Sequence, residues 1–185
     1  MDYKNYLKHV DQVKRTGYRP SVIAALIFQG KVGMFRSNKY PGFEFVQGGI
    51  EGIETPLEAI KREVIEELGY WFYSKCNFPP QNLKFLFEEK MKTKIKGELV
   101  TQTGEKIKPV GKQYVVFGVI LKEKGELPEI NEEDSKWKGT TVKFHEHRWV
   151  GPNEARKLAA TITNPIKKEI ALRTIDCLVK DGLIK

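Results

Sequence analysis

Near the amino terminus apolar residues recur at helical spacing: Tyr3, Tyr6, Leu7, Val10 and Val13 share one side of an amphipathic helix over 3–14. Gly17 and Pro20 in "TGYRP" punctuate the chain, and "SVIAALIF" (21–28) then reads as a buried strand. Gln29-Gly30 suits a tight hairpin turn into a second strand, "KVGMFRS" (31–37). A loop, "NKYPG" (38–42), leads to "FEFVQ" (43–47), a short alternating strand that runs into the pair Gly48-Gly49. "LKFLFEEKMKTKIKGELV" (83–100), "EKIKPV" (105–110), "KQYVVFGVIL" (112–121) and "TVKFHEHRWV" (141–150) read as further strands joined by turns. Two helices follow, over 151–160 and 164–182, the second with Asn164 as its cap, Pro165 in its first turn and Gly182 past its end. Strands outnumber helices, and the helices lie between or after them. The pattern predicts an α/β protein, a mixed β-sheet covered by helices as an α/β/α sandwich. With no repeat or linker, residues 1–185 read as a single domain in which 1–16 is a helical extension.

Amid these segments lies "GGIEGIETPLEAIKREVIEELGY" (48–70), which holds six glutamates: Glu51, Glu54, Glu58, Glu63, Glu66 and Glu67. Thr55-Pro56-Leu57-Glu58 supplies a capping residue, a proline at the first helical position and a glutamate three residues after the cap. Gly69 follows Leu68, so both helix ends are marked. At about 100° per residue, Leu57, Ile60, Val64 and Leu68 form one stripe and Glu63, Glu66 and Glu67 another, centred roughly 110° away. The apolar stripe is expected to pack inward and the acid stripe to remain on an exposed face. In solvent each like-charge pair at i,i+3 or i,i+4 costs only about 0.2–0.5 kcal/mol. Lining a cleft, two carboxylates about 6 Å apart at an effective dielectric near 20 repel by roughly 3 kcal/mol, which demands a proton or a cation. Hard, oxygen-seeking Mg²⁺ or Mn²⁺ suits such a cluster. A plain solvated face, neutralised by Lys61 and Arg62, is the alternative.

Charge extends the picture. The whole chain is basic, with 32 Lys and Arg against 24 Asp and Glu and a net charge of +8. That balance favours anionic partners such as nucleotides, RNA or phosphorylated metabolites, or else reflects a lysine-rich solvated surface. The longest apolar runs, "VIAALIF" and "VVFGVIL", are too short to cross a bilayer, so no membrane partner is expected. The first residues lack a secretory pattern, and Cys76 and Cys177 have no metal-type spacing, which points to a reduced, cytoplasmic protein.

From Gly48 the residues follow G-x5-E-x7-R-E-U-x-E-E-x-G-U, with U apolar or aromatic: Gly48, Glu54, Arg62, Glu63, Val64, Glu66, Glu67, Gly69 and Tyr70. This resembles the Nudix box, the loop-helix-loop with which Nudix hydrolases hold divalent metal and cleave diphosphate bonds in nucleoside diphosphate derivatives. The resemblance implies a Nudix-type sandwich in which Glu63, Glu66 and Glu67 ligate Mg²⁺ (or Mn²⁺), joined by a carbonyl at Gly48 or Gly49. It further implies that Arg62 holds the glutamates in place and that Glu54 supports the cluster from behind.

Outside the box, "GYRPSVIAALIF", "FEFVQGGIE", "GKQYVVFGVIL" and "HRWV" are similar in order and spacing to the branch of dinucleoside polyphosphate hydrolases and RNA pyrophosphohydrolases. On that likeness Arg19, Lys112, Gln113 and Arg36 are candidate substrate-binding residues. The implied substrate is a nucleotide polyphosphate or an RNA 5′ end, with no DNA partner. A free nucleoside triphosphate, ADP-ribose or a nucleotide sugar is a second reading, and a non-catalytic RNA-binding module a third. Val46 and Phe43 depart from the proline and tryptophan usual in the branch. A further glutamate is expected six residues before the tryptophan of "RWV", and Lys143 stands there instead, leaving Glu146, His145 or an acid of "NEEDS" (131–135) as substitutes. His145 and His147 share a strand face by alternation and read as surface histidines rather than a zinc site. Tyr40, Phe43, Phe45 and Tyr114 are candidates for stacking on bases, and the lysine-rich stretch 88–112 is either a guide for RNA or a mobile hairpin.

Overall fold

A computed structural model describes residues 3–38, 41–76, 78, 80–121, 130 and 143–185, with side chains from residue 8 onward. Its elements in chain order are α1 (Tyr3–Arg15), β1 (Tyr18–Phe28), β2 (Lys31–Ser37), β3 (Phe43–Glu44), β4 (Val46–Gly49), α2 (Pro56–Leu68) and α3 (Tyr70–Lys75). They continue with β5 (Leu83–Lys92), β6 (Leu99–Val100), β7 (Lys106–Ile107), β8 (Gly111–Ile120), β9 (Phe144–Val150), α4 (Pro152–Ala160) and α5 (Pro165–Lys180).

Seven strands form one mixed sheet. β1 is its spine: it runs parallel to β8 from Tyr18↔Gly111 to Ile27↔Ile120, whereas its pairings with β2 and β4 are antiparallel. The β1–β2 turn places Gln29 at φ 49° and Gly30 at φ 72°, the left-handed pair that lets a two-residue loop match strand twist. Beyond that turn the two strands splay. β3 pairs with β2 and β4 with β1, so residues 43–49 fill the gap between them.

Both faces of β1 are covered, which is why its sequence is a continuous apolar run rather than an alternation. Val22, Ala24, Leu26 and Phe28 face a core built with Ile60, Val64 and Leu68 of α2 and Phe72 of α3. Ile23, Ala25 and Ile27 face a second core built with Ala155 and Leu158 of α4 and Ile170, Ile175 and Leu178 of α5. The expected α/β/α sandwich with a mixed sheet is what the chain forms.

Four differences from the sequence reading have physical causes. The long strand over 83–100 stops at Lys92, where its partner β8 begins at Gly111. Residues 99–107 instead make a separate hairpin, β6–β7. That hairpin is not left loose: Arg15 of α1 bonds Glu105 and Thr103, each at 2.9 Å, and Asp11 accepts the Gln102 N–H at 2.6 Å. Helix α3 was unexpected because its aromatic composition, "YWFYSK", suits a strand equally well; burial of Phe72 against Phe35 at 6.3 Å selects the helix. In β9, Arg36↔Glu146 is followed by Ser37↔Phe144, so His145 is the extra residue of a β-bulge.

Candidate active site

Helix α2 starts as its sequence demands. Thr55 Oγ1 accepts the Glu58 N–H at 3.2 Å and Glu58 Oε2 accepts the Thr55 N–H at 2.7 Å, a reciprocal cap with Pro56 in the first turn. Gly69, at φ 93°, ends the helix and donates its N–H to the Ile65 carbonyl. Ile60, Val64 and Leu68 are fully buried, as the stripe predicts, with Ala59 beside them.

The acid stripe departs from expectation. Only Glu66 is open to solvent, its side chain 45 % exposed, whereas Glu63 and Glu67 are buried at 7 % and 4 %. The cause is β4, which lies across that flank of the helix. At Gly48 a Cβ would stand 1.8 Å from the Glu63 carboxyl carbon, so the strand approaches this carboxylate only because residue 48 lacks a side chain.

Arg62 ties the loop, the strand and the helix together. Its Nε and Nη2 grip Glu54 at 2.7 and 3.1 Å, Nη2 also donates to the Gly49 carbonyl at 2.6 Å, and Nη1 donates to Glu63 at 2.6 Å. Glu66 lies 3.4 Å from the same Nη1. Burial acts most strongly on Glu54 and would push its carboxyl up. The Arg62 bonds and charge and a Glu51 N–H outweigh it and hold Glu54 below the usual carboxylate range. At Glu63 burial prevails over Arg62, and its carboxyl is pushed up.

Glu67 has both oxygens engaged. Oε2 accepts the Gln47 N–H at 3.0 Å, and Oε1 is bonded by the Lys143 ammonium. Burial still dominates, raising its carboxyl to about 7 against the pull of Lys143 and Gln47. Lys143 is therefore placed at the acid cluster, but as a counter-charge to Glu67 rather than as a further acid.

Two of the basic candidates, Arg19 and Lys112, fall on the other face of β4. Arg19 and Lys112 are neighbours in the parallel β1–β8 register, and the arginine's Cδ lies 3.9 Å from where a Gly49 Cβ would stand. Half-buried Lys112 has its ammonium lowered first by burial, then by the charges of Lys167, Arg19 and Lys143, with Glu63 acting in the opposite sense. These cations and the acid cluster thus share one electrostatic neighbourhood. Lys167, in the first turn of α5, binds both oxygens of Glu44 at 3.0 and 2.8 Å, and Gln47 Nε2 bonds Glu44 at 2.8 Å. Lys167 escapes sequence reading because nothing local to "NPIKKE" distinguishes it from a solvated lysine.

The remaining candidates divide. Gln113 is buried, with no partner for its Oε1 among the described residues, and by alternation it points to the face opposite Lys112. Arg36 pairs with Glu146 and lies over Phe43, 5.3 Å from its centroid. That pairing also engages Glu146, one proposed substitute for the missing acid. Phe43, Phe45 and Tyr114 are each 3 % exposed within the α4–α5 core, so they are not open stacking surfaces; Tyr40 lies outside the described residues, as do 131–135. The bulge at His145 breaks the alternation that would align it with His147, whose ring instead stacks on Phe35 at 6.5 Å.

The donors around Gly48 are all oxygens, which fits Mg²⁺ or Mn²⁺ rather than a softer ion. The cradle at Gly48 brings the Glu63 carboxylate against strand backbone, where a carbonyl can share a ligand. As they stand, no three acidic, histidine or cysteine side chains converge as a metal cage among the described residues. Arg62 and Lys143 hold oxygens of Glu63 and Glu67 instead. Adjoining the cluster, a pocket of about 670 Å³ is lined by Arg19, Gly49, Ile53, Glu98, Val100 and Gln102, so the β6 region walls the far side of the glycine loop.

Among known proteins, the chain is 44% identical over 54 residues to an RNA pyrophosphohydrolase of Xylella fastidiosa (strain M12), a match covering 29% of this chain and 28% of that protein. It is 46% identical over 54 residues to an RNA pyrophosphohydrolase of Stenotrophomonas maltophilia (strain K279a), covering 29% and 26%. A NUDIX hydrolase from Nitrosomonas europaea shares the fold with a TM-score of 0.56 at 14% identity, over 90% of this chain and 92% of that one. The sequence pattern described as NUDIX domain matches residues 17–171, and the chain belongs to the Nudix family.

Proposed function

We propose that this chain is a divalent-metal-dependent pyrophosphohydrolase that cleaves a phosphoanhydride bond in a dinucleoside polyphosphate or in the 5′-triphosphate end of RNA. The observation that carries the reading is Arg62, whose guanidinium joins Glu54, the Gly49 carbonyl and Glu63 and so keeps carboxylates gathered beside a glycine strand. Glu63, Glu66 and Glu67, with the carbonyl of Gly48, are the groups that would hold Mg²⁺ or Mn²⁺. When bound, the ion neutralises the diphosphate and activates the attacking water. Arg19 and Lys112 draw the polyphosphate toward the cluster, and the cations around Lys112 extend that field. Glu66, the most exposed of the three glutamates, is the one we assign to accept the water's proton. The pocket beside Gly49 is large enough for a nucleoside and takes the part of the substrate beyond the cleaved bond. The name carried by the partial relatives favours RNA.

Residues 1–185 act as a single Nudix domain, with α1 bracing the hairpin that walls this pocket. Among the described residues no helix is long and apolar enough to cross a membrane. Cys76 and Cys177 are free thiols, which suits the cytoplasm.

The test is a substrate panel with Mg²⁺ or Mn²⁺: triphosphorylated RNA, diadenosine tetraphosphate, nucleoside triphosphates and ADP-ribose, with products resolved chromatographically. Faster turnover of the first two is expected, and Glu66→Gln should lower it by about 100-fold or more while the fold persists. The Lys143–Glu67 pair favours a second reading, a module that binds RNA without cleaving it. Tight RNA binding with no turnover of any substrate would select that reading.

A further inference from the structure

We propose that the Lys143 ammonium is a built-in counter-cation for Glu67, and that a divalent ion reaches Glu67 only by displacing it. The inference rests on the metal-holding role proposed for Glu63, Glu66 and Glu67.

Three features carry it. First, both oxygens of Glu67 are already engaged: the Gln47 N–H holds one and the Lys143 ammonium the other. The Gln47 N–H is held by its strand, so an ion approaching the carboxylate meets the ammonium as the movable charge in its way, and repulsion between the two cations drives the lysine out. Second, the lysine is the partner able to leave. Its side chain is 34 % exposed against 5 % for Glu67, so its head can swing to water without opening the core. Third, the placement is built into the fold. The bulge at His145 resets β9 so that Phe144 packs on Phe35 in the α2-side core, at 5.7 Å between ring centroids, and delivers the preceding residue to α2. The ammonium lies 4.7 Å from the Phe144 centroid, a second hold on the same head.

A monovalent charge on a tether is a poor substitute for a divalent ion but an effective competitor. It already satisfies the buried carboxylate, and its charge is also felt at Glu63 and Lys112. An ion entering the cluster therefore loses affinity twice, by breaking the pair and by meeting the displaced cation nearby.

Mn²⁺ binding to the full chain, read as free Mn²⁺ by electron paramagnetic resonance with circular dichroism to verify folding, tests this without reference to turnover. Lys143→Met, which keeps the stem and removes the charge, should tighten Mn²⁺ binding by about tenfold or more, while Lys143→Arg stays near wild type. Unchanged or weaker Mn²⁺ binding in folded Lys143→Met overturns the inference but leaves the metal-holding role standing. Absence of Mn²⁺ binding in every protein overturns both. A second measurement needs no variant: the rate at which an anhydride acylates Lys143, followed by mass spectrometry relative to Lys180, should rise several-fold when Mn²⁺ is added. A rate indifferent to Mn²⁺ counts against displacement.

Discussion

Gly48 shows how one missing side chain defines a site. The Cβ of Gly48→Ala would overlap the carboxyl end of Glu63, a flexible group that can yield, so the fold should survive with a loss of at most about 1–2 kcal/mol. The carboxylate itself must move away from Arg62 Nη1. Mn²⁺ affinity and turnover are therefore expected to fall at least about tenfold while the thermal midpoint changes little, which calorimetry alongside metal titration would check. A variant that binds Mn²⁺ normally would mean that Glu63 does not work from this cradle. Gly48, Glu54, Arg62 and the three glutamates were legible in sequence because they lie within 23 residues whose spacing a loop and one helix fix locally. Lys143 was legible only as the residue standing where a further glutamate is expected, not as the partner of Glu67, and Lys167 was not legible at all, because each reaches the site from an element distant in sequence.

Between α2 and the loop before it, Arg62 acts as a clamp. Removing it in Arg62→Ala strips partners from Glu54, Glu63 and a carbonyl in a part-buried setting. A loss of about 2–3 kcal/mol is expected, below the 3–5 kcal/mol of a fully buried pair. Chemical denaturation would measure it, and a loss under about 0.5 kcal/mol would imply that the loop is held by its own turns. The cap of α2 was readable because its bonds close within four residues, and the β1–β2 turn because two residues set it. The end of β5, the bulge in β9 and the existence of α3 depend on where partner strands start and which aromatic rings meet. None of these is encoded by local periodicity.

Across the whole molecule, burial decides how the acid cluster responds to pH. In the metal-free chain Glu67 keeps its proton up to about pH 7, whereas an unfolded glutamate releases it near 4.5. Between those values the folded state holds more protons, so stability contributed through this group falls as pH rises, by up to roughly 3 kcal/mol. Glu54 works in the opposite sense: its folded value is depressed, and its stabilisation, present above the unfolded value, is lost as pH falls. In EDTA the thermal midpoint should be lower at pH 7.5 than at pH 5.5, and Mg²⁺ should remove most of that difference. Equal midpoints in EDTA would show that Glu67 is better solvated than its 4 % exposure indicates.

Local order sufficed for the two-sided sandwich, the capped acidic helix and the family, because patterning with periods of two and 3.6 residues and a short motif depend on near neighbours in the chain. Burial of Glu63 and Glu67, the cations assembled around Lys112 and the capture of Glu67 by Lys143 came only with folding. Desolvation and ion pairing depend on distance through space, and residues 67 and 143 become neighbours only once β9 is laid beside β2.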